Sequence, residues 1–354
     1  MSSLPVSADR APRTAAGTAS RRAATSWRLP ALAALAAVGL ALPFVLSDYR
    51  IFLVTMTLIT AIAVLGLNML VGYNGQLSLG HGAIYALGAY VTAILMEHAG
   101  VAWWLTLPIS AVTCFVFGFV FGWPALRLKG HYLALATFAL ALATPQLLKH
   151  KALEAWTGGV QGISLLKPEA PFGWKLSTDQ WLYLVVAAIA AVMFAAAWNL
   201  LRGRLGRATI AIREQPVAAS AMGVNVAYTK AMTFGISALY TGVAGSLGAI
   251  ATAFVAPDSF GMFVSVFFLV GVVVGGLGTI SGALVGAAFI QFIPNFADQI
   301  SKSAPSAIFA GFLILCMFLM PQGFVGLVRA ALQRVRSGSR PRGGDLRPVV
   351  LPRK

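Results

Sequence analysis

Long apolar runs separated by short polar or glycine-rich breaks dominate the chain. They lie near 29–47, 51–71, 79–96, 102–125, 131–148, 181–200, 230–254, 261–276, 281–298 and 304–325. Each approaches the roughly 20 residues that a helix needs to cross a bilayer. Stretches such as LALATFALALA and LVVAAIAAVMFAAA are apolar on every side, whereas a membrane β-strand alternates lipid-facing and lumen-facing positions. The pattern predicts an all-α polytopic membrane protein of about ten transmembrane helices, within a range of about 8–11. The range comes from 72–82 and 271–282. Glycine weakens a helix there, and a broken helix is tolerated where it faces protein or a polar cavity.

Composition agrees with a bilayer. Of 354 residues, 58% are hydrophobic and 10% charged, against about 25% charged in a soluble domain, so an ordinary soluble domain is excluded. The formal charge of +16 is divided between two tails and a few loops. A nucleic-acid footprint would gather its cations in one stripe, so no nucleic-acid partner is expected. Cys114 and Cys316 each lie inside an apolar run with no CxxC spacing, which suits packing residues.

Charge also orients the spans. With the amino terminus inside, the inner set (1–28, 72–78, 126–130, 201–230, 277–280 and 326–354) holds 20 of the 26 Lys+Arg and three of the ten acids. Positive-inside bias then predicts an even number of spans with both termini cytoplasmic. The expected organisation is a disordered basic tail over 1–28, a transmembrane domain over 29–328 and a second basic tail over 329–354. The run after the first tail is read as an uncleaved span, because Leu29–Leu46 reaches most of the way across a bilayer behind a long polar lead.

Two loops exceed the length of a turn. The outer one, 149–180, mixes aromatic, glycine and charged residues, with tryptophans 156, 174 and 181 at headgroup depth. It is read either as a cover or partner contact, or as a solvated connector. The inner one, 201–230, has Ile210, Arg213 and Val217 at helix spacing, Pro216 placed to begin a second helix, and Gly223 followed by Asn225 placed to end it. It predicts a short helix–turn–helix at the membrane face, either lying in the interface or docking a soluble partner.

Polar chemistry concentrates in one window. Tyr73, Asn74, Gly75, Gln76, Ser78, Gly80, His81 and Gly82 stand between two apolar runs. A broken helix exposes N–H groups whose positive end suits a carboxylate, so these are candidates for a solute path; close packing of a hairpin is the other reading. His81 has no second ligand at metal spacing, and no metal site is expected. A second window supplies Gly275, Gly276, Gly278, Gly282 and Gly286, which with Gly88 are candidates for close helix packing. Sliding the chain by 200 residues aligns Gly75 with Gly275 and Gly82 with Gly282, a weak hint of duplication. No acid lies mid-span and no G-x-x-x-x-G-K-[ST] occurs. That disfavours an ion-coupled relay and a nucleotide site in this chain. The histidines at 81, 98, 131 and 150 form no catalytic constellation, so no catalytic residue is expected and the chain is not read as an enzyme.

Four stretches together carry a resemblance: GLNMLVGYNGQLSLGHGAIYALGAY at 66–90, RLKGHYLALATFAL at 127–140, the GRATIAIREQPVAASAMGVN loop, and GGLGTISGALVGAAF. Over roughly 45–328 the chain resembles the LivM-type permease subunits of branched-chain (hydrophobic) amino acid ABC transporters. The resemblance implies a bacterial inner-membrane importer subunit that binds no cofactor itself. Its partners would be a homologous second permease, two cytoplasmic ATPase subunits carrying ATP and Mg, and a periplasmic or lipid-anchored solute-binding protein, with lipid around it. It further implies that Gly206, Arg207, Arg213, Glu214, Ala218, Ala219 and Gly223 couple to the ATPase. Ala218, Ala219 and Gly223 match the Ala-Ala-three-residues-Gly part of the importer motif, and Val217 stands where its fullest form has Glu. Relatives of similar build handle urea or short amides, which is the alternative substrate class; an ATP-independent channel or secondary transporter is a more distant alternative.

Overall fold

The structure is a computed structural model that describes residues 39, 41–125, 130–170, 176–300, 304–319 and 323–327. The two expected tails and the first part of the 29–47 run lie outside the described residues. A short helical stretch at 41–45 leads into α1 (Asp48–Asn68), whose first turn carries Asp48 at the positive end of the helix dipole. One π turn, Met69–Tyr73, continues α1. Then come α2 (His81–Ala99), α3 (Trp103–Ala125), α4 (His131–Leu148), the single turn α5 (Glu154–Thr157) and the two-residue strand β1 (Ile163–Ser164). A capping box starts α6 (Thr178–Arg202): Ser177 Oγ accepts from the Gln180 amide while Gln180 Oε1 accepts from the Ser177 amide. The chain continues as α7 (Arg204–Glu214), α8 (Pro216–Ala221), α9 (Val226–Thr252), β2 (Phe254–Val255), a 3-10 turn (Pro257–Phe260), α10 (Met262–Gly275), α11 (Ile280–Ile300) and α12 (Pro305–Leu319).

Among the described residues the fold is thus all-α apart from one antiparallel pairing, Ile163 with Val255 and Ser164 with Phe254. Among the described residues seven segments are long and apolar enough to cross a membrane: α1 with its π turn, α3, α4, α6, α9, 257–275 and α11. The difference from ten has physical causes. Helix α2 is 19 residues long and packs inside the bundle, but it begins on His81 and carries Glu97 and His98 in its last turn. Helix α12 has 15 residues and an apolar stretch of Ala307–Cys316.

Helix α9 is the centre, with α1, α2 and α3 packed around it. It is buried along nearly its whole length. Small residues allow this, because close backbone approach drives helix association where lipid removes the hydrophobic incentive. A Cβ at Gly66 would stand 2.8 Å from the Ser237 carbonyl, and one at Gly245 would run into the Tyr85 carbonyl. Helices α10 and α11 pair with each other and lean on α1, while α6 covers another side of α1. On α3, Leu105, Ile109, Val112, Val116, Val120 and Trp123 stay exposed at helical spacing, as suits a face against lipid.

Connections sort to two ends. At one end, segments 74–80, 203–225 and 276–279 meet through Arg213 with Gly72 and Asn68 with Gly278. At the other, Lys149 pairs with Asp258 at 2.5 Å, Lys167 with Asp179 at 2.9 Å, and Ser177 donates to Asp48 at 3.1 Å. These links join only segments that the charge pattern assigns to one side. The 149–180 loop is folded where described. Its positive-φ glycines 158, 159 and 162 turn the chain so that Ile163 and Leu165 pack with Tyr90, Val255 and Phe260.

Candidate functional site

The site begins where α1 stops being an α-helix. The π turn shifts the ladder by one residue, and the last carbonyls of any helix need partners from elsewhere. Here the Gln76 amide donates to the Leu70 carbonyl at 3.1 Å, and Arg213 Nη1 of α7 donates to the Gly72 carbonyl. Asn68, fully buried, fastens the α10–α11 turn: its Oδ1 accepts from the Gly278 amide at 2.9 Å and its Nδ2 donates to the Thr279 carbonyl at 2.8 Å. A Cβ at Gly72 would collide with Asn68 Oδ1 and the Gly278 nitrogen. The two glycine windows are therefore in direct contact. Gly75 adopts φ +70°, and a Cβ there would stand 3.2 Å from Cγ of Arg213.

Beyond the π turn, residues 74–80 run without regular structure, yet Asn74, Gln76, Ser78 and His81 are all buried. Asn74 Nδ2 donates to Gln76 Oε1 at 3.1 Å, while the buried Asn74 Oδ1 has no partner. Tyr73 packs on the main core, and Gly75 faces outward. His81 lies between two hydroxyls, with Nδ1 3.1 Å from Ser78 Oγ and Nε2 2.7 Å from Ser237 Oγ. Ser237 Oγ donates to the Gly66 carbonyl at 2.6 Å, so it accepts from Nε2–H. Nδ1 then accepts from Ser78. This assignment makes the imidazole neutral and uses every proton. The broken segment is stitched to its surroundings: the Leu79 amide donates to Thr137 Oγ1 at 2.9 Å, Gly80 abuts the Thr137 carbonyl, and the Gly82 amide donates to Ser265 Oγ at 2.8 Å.

Both ring nitrogens of His81 are thus engaged within the protein, and Asn74 Oδ1 is the buried polar atom among these candidates left without a partner. Sequence pattern does not single out Asn68, Thr137, Ser237 or Ser265. The available signal is a polar side chain inside an apolar run, which costs free energy unless it bonds to something.

Of the packing glycines, Gly88 abuts Gly242 of α9, Gly275 abuts the Gly282 carbonyl and Gly286 abuts the Gly271 carbonyl. Gly276 (φ +117°) and Gly278 (φ +70°) lie in the α10–α11 turn. In the inner loop, α7 and α8 form a helical hairpin broken at Gln215, with Pro216 opening α8. Gly223, at φ +84°, follows its end, whereas Asn225 belongs to the next element: its Oδ1 accepts from the Tyr228 amide and caps α9. A short polar side chain competes for the first amides of a following helix. Gly206 is buried against the Leu201 carbonyl, Arg207 Nη1 donates to the Arg202 carbonyl at 3.1 Å, and Ala219 is buried. Glu214 and Ala218 are exposed, and beside them Val217 is 78% and Met222 86% exposed. Large apolar side chains bared among charged neighbours mark a surface that contacts another protein or the membrane.

The described residues thus form a bundle of apolar helices with an amphipathic helical hairpin at one end. A family model described as branched-chain amino acid transport system / permease component matches residues 49–320. The chain belongs to this family and is a membrane permease subunit of the ABC transporter type. It is 33% identical over 330 residues to the high-affinity branched-chain amino acid transport system permease protein LivM of Salmonella typhimurium, across 87% of this chain and 77% of that protein. Against Escherichia coli LivM it is 33% identical over 325 residues, covering 85% and 76%. The E. coli permease protein LivH is 25% identical over 285 residues, covering 75% of this chain and 91% of its own length. No solved structure matches the chain.

Proposed function

We propose that the protein forms half of the translocation pathway of an ATP-driven importer for branched-chain or other hydrophobic amino acids in the bacterial inner membrane. It pairs with a homologous permease, two cytoplasmic ATPase subunits and a periplasmic or lipid-anchored solute-binding protein. The observation that carries this reading is the α7–α8 hairpin. Val217, Ala218 and Met222 are exposed on and just after α8, with Glu214 exposed at the end of α7, at the end of the bundle that the charge pattern assigns to the cytoplasm. Exposed apolar side chains beside charge suit insertion into a groove of a soluble ATPase. Both termini lie on that cytoplasmic side, and α2, α12 and the first apolar run complete about ten spans.

The solute passes along the broken segment 72–82, where Asn74 Oδ1 is a buried acceptor without a partner and the start of α2 offers positive dipole to a carboxylate. The likeness to the two LivM proteins supports the substrate class. The test is reconstitution with co-encoded partners and ATP-dependent uptake of labelled leucine in competition with valine, isoleucine and urea. Uptake inhibited by valine and isoleucine but not urea is expected. Competition by urea alone would assign a short amide instead, and uptake with an ATPase-dead partner would make the chain a channel.

A further inference from the structure

We propose that Arg213 is the strap through which movement of the α7–α8 hairpin reaches the membrane helices, acting on the π turn that ends α1 and, through Asn68, on the α10–α11 turn. This rests on the reading that the hairpin docks an ATPase.

Three observations converge on Arg213. First, its guanidinium donates to the Gly72 carbonyl, at the end of a helix where a cation is favoured by the dipole. Second, the residue is exposed but lies against both glycine windows: a Cβ at Gly75 would stand 3.2 Å from its Cγ, and one at Gly278 would stand 3.6 Å from its Nη1. Third, Asn68 grips the Gly278 amide and the Thr279 carbonyl from the last α-turn before the π turn, so a displacement of that turn moves α10 and α11 as well. The other side-chain bonds of the hairpin stay local: Arg207 to the Arg202 carbonyl, Thr209 to the Gly206 carbonyl and Ser220 to the Val217 carbonyl. A π turn is a short, less favourable stretch that often marks functional sites, and here its Gly72 carbonyl is held from outside the bundle. Arg213 thus serves as a positioning residue, and its planar fork is not fully replaced by a lysine ammonium.

The test uses the full importer in proteoliposomes, with its ATPase subunits and binding protein, comparing wild type, R213A, R213K, N68A and the R213A/N68A double variant. Four quantities are read: co-purification of the ATPase subunits, ATP hydrolysis, leucine taken up per ATP, and deuterium exchange of the π-turn amides. R213A is expected to keep its ATPase subunits and to hydrolyse ATP while uptake per ATP falls about tenfold, within the range of a typical coupling free energy. R213K should restore part of that loss, and N68A combined with R213A should lose less than the two single losses together, as coupled residues do. Amides 69–78 should exchange faster with deuterium in R213A. Unchanged uptake per ATP in R213A would overturn the proposal, and so would loss of the ATPase subunits, which would make Arg213 part of the docking surface. If R213A does not accumulate, R213K and R213Q carry the same comparison. A wild-type complex with no ATP-driven uptake would overturn the functional reading and the strap with it.

Discussion

Replacing Gly88 with alanine should loosen the centre of the bundle. A Cβ at Gly88 would stand 2.7 Å from Cα and 2.8 Å from the carbonyl carbon of Gly242, with the Gly242 oxygen closer still. Carbon atoms in contact settle at about 3.5–4.0 Å, so α2 and α9 must part by about 1 Å at this point. The Ser110 hydroxyl lies 3.3 Å from both the Gly88 and the Gly242 carbonyl and would be stretched as they separate. Overpacking costs about 1–3 kcal/mol and a weakened hydrogen bond about 0.5–1.5 kcal/mol. Alanine's better helix propensity returns at most about 1 kcal/mol. A net loss of roughly 2 kcal/mol, set against an unfolding entropy of about 2 cal/mol/K per residue, corresponds to a melting point lower by about 3 °C. The control is Gly311→Ala in α12, where an added Cβ meets nothing within 4 Å. Thermal unfolding of the two purified variants in one detergent is the assay. If Gly88→Ala melts together with Gly311→Ala, the close approach of α2 and α9 is refuted.

Other substitutions probe the junction and the docking hairpin. His81→Phe keeps an aromatic ring but strips both polar atoms facing Ser78 and Ser237; a loss of about 1–3 kcal/mol is expected in the same melting assay, and nitrogen NMR of the native ring should report the neutral Nε2–H form. Asn68→Ala leaves the Gly278 amide and the Thr279 carbonyl without their partner, costing about 2–5 kcal/mol; deuterium exchange at 276–281 should rise, and unchanged protection would contradict the contact. Replacing Val217 and Met222 together with serine should leave the melting point within about 0.5 kcal/mol of wild type while ATPase subunits no longer co-purify. Retention of those subunits would move the docking surface elsewhere.

The helices were legible because apolar runs of this length have few alternatives in a bilayer. The runs at 131–148 and 281–298, for example, correspond to α4 and α11 within a few residues. The broken segment was legible in position, since four glycines and the amides of Asn74 and Gln76 interrupt two runs, but not in form. A π turn depends on carbonyl partners, and those come from Arg213 and Gln76, which local pattern does not pair with Gly72 or Leu70. The central place of α9 was also hidden, although Gly235, Gly242, Gly245 and Gly248 hint at it. Small residues say that something approaches closely without saying what. Asn225 shows the limit at single-residue scale, because the same side chain suits the end of one element and the cap of the next.

Burial of α9 among α1, α2 and α3 also sets an order of assembly. The three surrounding helices are complete by Ala125, while α9 begins at Val226. A ribosome must therefore add a long stretch of chain before the middle of the bundle is filled. Until then the clefts beside Gly66, Gly88 and Gly118 stand empty and the hydroxyls of Ser110 and Thr92 lack their α9 partners. A chain halted before Val226 would therefore lack the one helix on which α1, α2 and α3 all pack, and its small-residue faces and hydroxyls would have nothing to close on.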